Sequence, residues 1–251
     1  MASVIVTGAA GGLGAATVSA LAARGARVLA VDLDPDGLER CVAAAKGASG
    51  EVVPHVADVT DEAVVAATVA TAVERLGGLT ALFNNAAIEG PIAEIPEIAL
   101  DDYERVMRVN VRSVFLGMKH AIPVLQESGG RVLNTASTGG MMGWPGISPY
   151  VASKHAVVGI TRAVALENAG KGVCVNVLCP GPMDTRMIWS IGEAMAPGDR
   201  PEQQRLLEAT IPVGRLGRPE EVASFAAWLL LDAPAYLTGA VLPVDGAQTA
   251  G

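Results

Sequence analysis

Aromatic residues are scarce: three Trp, three Tyr and three Phe make up 4% of the 251 residues. A core must therefore be built from Ala, Val and Leu, in a chain that is 51% hydrophobic and only 18% charged. That balance excludes intrinsic disorder and supplies a sizeable core. Positive charge is also short, with Lys+Arg 18 against Asp+Glu 26 and a net charge of −8. No nucleic-acid partner is expected, because that role favours a basic patch, and no anionic membrane partner either. No apolar run approaches the roughly 18–20 residues of a membrane span. The first residues, MASVIVTG, have neither a basic n-region nor a long apolar h-region, so a secretory leader is not expected. The three cysteines, Cys41, Cys174 and Cys179, are odd in number and form no C-x-x-C. They read as small buried hydrophobes in a reducing, cytoplasmic compartment rather than as a disulfide framework or zinc site. His55, His120 and His155 are scattered and lack H-E-x-x-H spacing. No metal site and no Ser-His-Asp hydrolase is expected.

What is present is an alternation of short apolar runs and longer helical segments. Strands are predicted at 4–6, 28–32, 52–56, 81–84, 131–135, 173–178 and 240–244. Several are continuously apolar, as befits a parallel sheet covered on both faces. Asp34-Pro35 supplies an N-cap and an N1 proline for a helix to about Ala45. Thr60 is the expected cap of the next helix, with Asp61 and Glu62 in its first turn and Gly77-Gly78 at its end. Ser148-Pro149 and Pro219-Glu220-Glu221 open two more. The pattern predicts a single α/β domain over 1–251, a doubly wound parallel sheet of seven strands with helices on both faces. The stretch 183–212 breaks the rhythm and carries Met183, Met187, Ile188, Trp189, Ile191 and Met195. It reads as a lid over a binding site, or as a surface helical hairpin with a buried apolar face.

The first strand runs into TGAAGGLG at 7–14, followed by a helical segment that Gly25 stops. Glycines at 8, 12 and 14 let a backbone turn sharply and approach a pyrophosphate, which the helix N-terminus would hold. A plain strand–helix turn would also use them. Asp32 ends the second strand eighteen residues after Gly14, where a carboxylate accepts bonds from both adenosine ribose hydroxyls and repels a 2′-phosphate. Leu33 follows it, and the glycine loop has no Lys or Arg. The cofactor predicted is NAD rather than NADP.

The fifth strand leads to Ser137, and thirteen residues later come Tyr150 and Lys154, four apart on one helix face. An ammonium and a helix N-terminus beside a phenol both favour phenolate, so the Tyr150 pKa is expected below about 10. Such a tyrosine exchanges protons with an alcohol or ketone oxygen, to which Ser137 donates a second hydrogen bond.

With these residues together, the chain resembles the short-chain dehydrogenase/reductase family over nearly its whole length. The matching pieces are TGAAGGLG at 7–14, Asp32, Asp58-Val59, Asn84-Asn85-Ala86, Asn110, Ser137, Tyr150 with Lys154, Asn176, Pro180-Gly181, Thr185 and YLTGAVLPVDG at 236–246. The resemblance implies that Gly8, Gly12, Leu13 and Gly14 hold the pyrophosphate. It also implies that Asp32 and Leu33 meet the adenosine ribose, that Asp58 and Val59 flank the adenine, and that Asn85 touches the cofactor. Pro180, Gly181, Met183 and Thr185 would seat the nicotinamide. Tyr150 would be the general acid/base, Lys154 would bind the nicotinamide ribose and depress the Tyr150 pKa, and Ser137 would polarise the substrate oxygen. Asn110 would hold a water linking Lys154 to solvent; without the resemblance it reads as a helix residue paired to a neighbouring loop. Two positions depart from the family: Ala87 and Ala247 stand where glycines are usual.

Substrate walls are expected from Ile88 and Glu89, from 138–144 and from 183–195, with Met142, Trp144, Met187 and Trp189 among the contacts. Flexible methionines suit an adaptable apolar pocket. The partner predicted is a hydrophobic small molecule, a cyclic or aryl secondary alcohol and its ketone. The alternatives are a 3-oxoacyl-carrier-protein reductase, with Arg105, Arg108 and Arg112 meeting an acidic carrier, or a non-catalytic NAD-binding protein. The resemblance also implies a homotetramer.

Overall fold

A computed structural model describes residues 1–250. Seven strands form one parallel sheet: β1 (Ser3–Thr7), β2 (Arg27–Asp32), β3 (Glu51–Val56), β4 (Ala81–Asn84), β5 (Gly130–Thr135), β6 (Val173–Pro180) and β7 (Val241–Val244), in the order β3-β2-β1-β4-β5-β6-β7. Each predicted run is a strand, shifted by a residue or two at its ends. The helices are α1 (Gly12–Ala23), α2 (Pro35–Ala44), α3 (Glu62–Leu76), α4 (Leu100–Met107), α5 (Ser113–Ser128), α6 (Ser148–Asn168), α7 (Arg186–Met195), α8 (Arg200–Glu208) and α9 (Pro219–Leu231). None of them is long and apolar enough to cross a membrane.

Alternation along the strands builds two cores. Ile5, Leu29, Leu82, Val132 and Val175 face α3, α5 and α6. Val4, Val6, Val28, Phe83 and Leu178 face α1 and α9. Helices α1 and α9 pack against each other, and α9 brings three small residues, Ala223, Ala226 and Ala227, into this core beside Val222, Leu229 and Leu230.

One helix start differs from expectation. Asp61, not Thr60, caps α3, and its carboxylate accepts from the Val64 N–H at 3.1 Å. Thr and Asp both suit an N-cap, so the residue types alone did not choose between neighbours. Helix α6 opens at Ser148-Pro149 as expected.

Of the two departures from the family pattern, Ala247 has the larger consequence. It sits at φ 70°, alone among the described non-glycine residues at positive φ, in the turn after β7. A side chain in that region costs roughly 1–2 kcal/mol. Ala247→Gly should therefore raise stability by about 1 kcal/mol and the melting temperature by about 2–4 °C, read by thermal denaturation. No gain would show that the turn is already relaxed.

Candidate active site

The strand order reverses between β1 and β4, and the crevice beyond their C-terminal ends is the site that a doubly wound sheet offers a ligand. A cavity of about 810 Å³ fills it. At one end lies the glycine loop. Gly8 has φ 65°, and a Cβ there would come within 2.8 Å of the Ala86 backbone. A Cβ on Gly14 would lie 2.0 Å from the Gly8 carbonyl, so the turn closes only with glycine. No side chain caps α1, which leaves its first N–H groups facing the cavity.

Asp32 ties this loop to β2. Its Oδ2 accepts from the Ala10 N–H at 2.9 Å, and its Oδ1 accepts from Leu33 at 2.7 Å and Asp34 at 3.1 Å. Asn85 fixes the other side: its Nδ2 donates to the carbonyls of Thr7 and Gly8, and Thr135 Oγ1 donates to its Oδ1. The uncapped helix start, the glycine-only turn and the carboxylate one strand over together fit a dinucleotide.

At the other end, α6 brings Tyr150 and Lys154 beside Ser137. A Cβ on Gly139 would lie 3.5 Å from Tyr150 Cε1, 3.6 Å from Ser137 Oγ and 3.6 Å from Trp144 Cδ1, which shows how tightly these groups gather. Lys154 Nζ donates to the Thr135 carbonyl at 2.9 Å and lies 5.4 Å from the Tyr150 ring centre. The electrostatics differ from the sequence expectation. Burial pushes the Tyr150 phenol up to about 12, and the Ser137 hydroxyl offsets only part of this. Burial also pulls the Lys154 ammonium down to about 8. Desolvation outweighs the Ser137 hydrogen bond, so burial favours the neutral, protonated form of Tyr150. Cys179 nearby is likewise neutral, its thiol raised by burial to about 11.

Asn110 lies in a π turn (Arg108–Arg112) between α4 and α5. Its Oδ1 accepts from the Ile88 N–H at 2.9 Å, and its Nδ2 donates to the Ile88 carbonyl at 2.9 Å and to Ser153 Oγ at 3.0 Å. Ser153 in turn donates to the Tyr150 carbonyl at 2.7 Å. Both amide protons are thus taken by protein, and no bond runs from this side chain to Lys154. Asn110 clamps the loop after β4 to the helix that carries Tyr150.

The cavity wall includes Gly8, Gly12, Leu13, Gly14, Asp32, Asn85, Ser137, Trp144, Tyr150, Lys154, Pro180, Gly181, Met183, Thr185 and Met187. Leu33, Asp58 and Val59 lie off it: Leu33 is exposed, Asp58 accepts from the Thr60 N–H, and Val59 packs on the core. Met142 and Trp189 are corrections to the expected substrate contacts. Neither lines the cavity: Met142 is exposed, and Trp189 Nε1 donates to Asp184 Oδ1 at 2.7 Å. Sequence reading missed Arg40, Ile92, Ile147, Leu207 and Thr210 on the wall. Arg40 lies one and a half helical turns into α2, and its proximity to the Asp32 end follows from the helix direction.

The family model described as enoyl-(acyl carrier protein) reductase matches residues 8–249. Levodione reductase of Leifsonia aquatica is 38% identical over 250 residues, covering 98% of this chain and 94% of that one. The chain belongs to the short-chain dehydrogenase/reductase family. A crystal structure of levodione reductase superposes on this short-chain dehydrogenase/reductase with a TM-score of 0.95, over 99% of this chain and 97% of that one. Cyclohexanol dehydrogenase of Acinetobacter sp. strain SE19 is 37% identical over 98% of this chain and 94% of its own length. Actinorhodin polyketide ketoreductase, solved with NADPH, is 33% identical with a TM-score of 0.92, over 99% of each chain.

Two outcomes follow from the geometry. Asn110→Ala strands both polar groups of Ile88 and should cost about 1–3 kcal/mol by urea denaturation; a smaller loss would mean the clamp is dispensable. The Lys154 ammonium has its pKa at about 8 when folded and 10.5 ordinarily. Between those values the unfolded chain binds more protons, so stability contributed by this group rises with pH. Wild type should gain stability relative to Lys154→Met as pH climbs from 8 to 10, and a flat difference would refute the burial of that charge.

Proposed function

We propose that this short-chain dehydrogenase/reductase uses NAD to interconvert a hydrophobic, cyclic or aryl secondary alcohol and its ketone. The observation that carries the reading is the composition of one cavity. A carboxylate stands at its glycine-loop end, and Tyr150, Ser137 and Lys154 stand opposite, facing Ile92, Trp144, Ile147, Met187 and Ile188. Polar groups meet a substrate oxygen there, and apolar side chains meet its carbon frame. The relative named for cyclohexanol, itself a cyclic secondary alcohol, supports the class.

When bound, NAD would supply the hydride acceptor and a positive charge for alcohol oxidation, and its reduced form the hydride donor for ketone reduction. The protein's own groups handle the proton. In ketone reduction Tyr150 donates to the forming alkoxide while Ser137 holds the same oxygen. In alcohol oxidation Tyr150 takes the hydroxyl proton, which requires its phenol to ionise first. Lys154, fixed by the Thr135 carbonyl, sits where it can hold ribose hydroxyls and favour that ionisation. Gly8, Gly12, Leu13 and Gly14 would cradle the pyrophosphate and Asp32 the adenosine ribose, while Leu33, Asp58 and Val59, outside the cavity wall, would flank the ribose and adenine from beyond it. Residues 183–212 would act as a lid.

The carrier-protein alternative draws on Arg105, Arg108 and Arg112, but Arg105 is spent on Asp102 at 2.7 Å. A cytoplasmic homotetramer is the proposed state. Exposed Phe115 on α5, Leu166 on α6, and Trp228 and Tyr236 near the C-terminus supply apolar surface for it.

The deciding experiment follows absorbance change with cyclic and acyclic secondary alcohols and their ketones, using NAD and NADP, on wild type and Tyr150→Phe. NAD should win with cyclic substrates, and the variant should lose at least about a hundredfold in kcat, with nucleotide affinity retained. Preference for NADP would overturn the Asp32 assignment, and preference for polyols would overturn the substrate class. Light scattering should give four times 25.5 kDa; a monomer mass would refute the tetramer.

A further inference from the structure

Helices α7 and α8 are packed together as one block. Gln203 is buried between them and donates to Glu193 Oε2 at 2.6 Å and to the Ala196 carbonyl at 2.9 Å. Gly192 lies so close that a Cβ would come within 3.2 Å of both Gln203 and Leu207. Arg200 stacks over Trp189, whose Nε1 donates to Asp184 Oδ1 at 2.7 Å. Separating the helices would strand the buried Gln203 amide, which is costly.

The apolar residues of this block, Ile188, Trp189, Ile191 and Leu207, pack on Ile211 and Leu216, whereas its polar attachment to the rest of the molecule is sparse. Among the described residues, the hydrogen bonds that leave 186–208 for a residue outside 183–211 come from one side chain. Arg186 Nη1 donates to Glu89 Oε1 at 3.2 Å, and Nη2 donates to Glu89 Oε2 at 3.5 Å.

The partners of this fork are unequal. The Glu89 side chain is 12% exposed and the Arg186 side chain 78%. Glu89 stands on a fixed bank: Asn110 holds both polar groups of Ile88, and Gly90 abuts Val106 so closely that a Cβ would lie 2.4 Å from its Cγ2. Arg186 opens α7 and lines the cavity. The bond therefore spans from a rigid loop on one side of the cavity to the block on the other. Glu89 is also near enough for its charge to oppose ionisation of Tyr150.

We propose that Glu89 and Arg186 form a latch that holds the 186–208 block across the cavity mouth and so sets how long a substrate stays inside. This rests on reading the segment as a lid over the proposed active site. Neither residue transfers a proton or hydride: Arg186 acts by position, and Glu89 by position and by its charge near Tyr150. A neutral substrate leaves the fork intact, which suits the class proposed above.

Hydrogen–deuterium exchange resolved along the chain tests the latch, on wild type, Glu89→Gln and Arg186→Gln, at low and high salt. Each variant should exchange about three- to fivefold faster, the effect being confined to 186–208, because a half-exposed ion pair contributes at most about that factor. High salt should loosen the wild-type block similarly and leave Glu89→Gln unmoved. The KM for a neutral cyclic ketone should rise by the same factor in each variant while kcat changes less. Unchanged exchange at 186–208 in both variants, or equal salt sensitivity of wild type and Glu89→Gln, would overturn the latch; exchange raised along the whole chain would mean general destabilisation and would overturn it too. If wild type turns over no alcohol or ketone, the exchange data still decide the latch, and only the proposed function falls.

Discussion

Every functional group in this molecule owes its place to the parallel pairing of the strands. A parallel sheet sends all strand C-termini to one edge, and each return helix must cross to the other. Thr7, Asp32, Asn84, Thr135 and Pro180 therefore end at the same rim although 173 residues of chain separate the first from the last. Where β1 and β4 meet, the following segments leave for opposite faces, and the crevice between them cannot be filled by either. No side chain had to create that opening. The sheet creates it, and the residues at the strand ends give it character.

Within the crevice, polar side chains are used mainly to hold backbone. Asp32 grips the glycine loop, Asn85 joins that loop to β4, and Asn110 joins the next loop to α6. Each sits where an unpaired amide or carbonyl would otherwise face a poorly solvated wall. The groups left for the chemistry proposed are few: Tyr150, Ser137 and Lys154, with Tyr150 and Lys154 each displaced by burial in the direction that favours its neutral form. Such a site waits for a bound charge to change its protonation, rather than carrying a phenolate ready-made.

Much of this was legible in the sequence because it depends on local chemistry. A glycine that must turn, an acid at a strand end and a tyrosine four residues before a lysine are short-range signals. What escaped depended on direction and packing. Met142 and Trp189 carry the right side chains in the right segment, yet one faces water and the other bonds Asp184; spacing cannot say which way a loop residue points. The helix cap moved from Thr60 to Asp61 because adjacent residues offered equivalent oxygens. The Tyr150 pKa was misjudged because the count of nearby charges is written in sequence, whereas the depth of burial is not. The π turn at 108–112 had no signal, since π and α turns draw on the same residues.

The scarcity of aromatics has an optical consequence. The three tryptophans occupy three distinct places: Trp144 on the cavity wall beside Tyr150, Trp189 on the α7–α8 block under Arg200, and Trp228 on the outer face of α9, stacked on Phe225 at 5.8 Å. No buried tryptophan of the main core contributes a background. The intrinsic fluorescence of this protein is therefore a sum of a wall signal, a block signal and an outer-surface signal, and single Trp→Phe changes separate them without any attached dye.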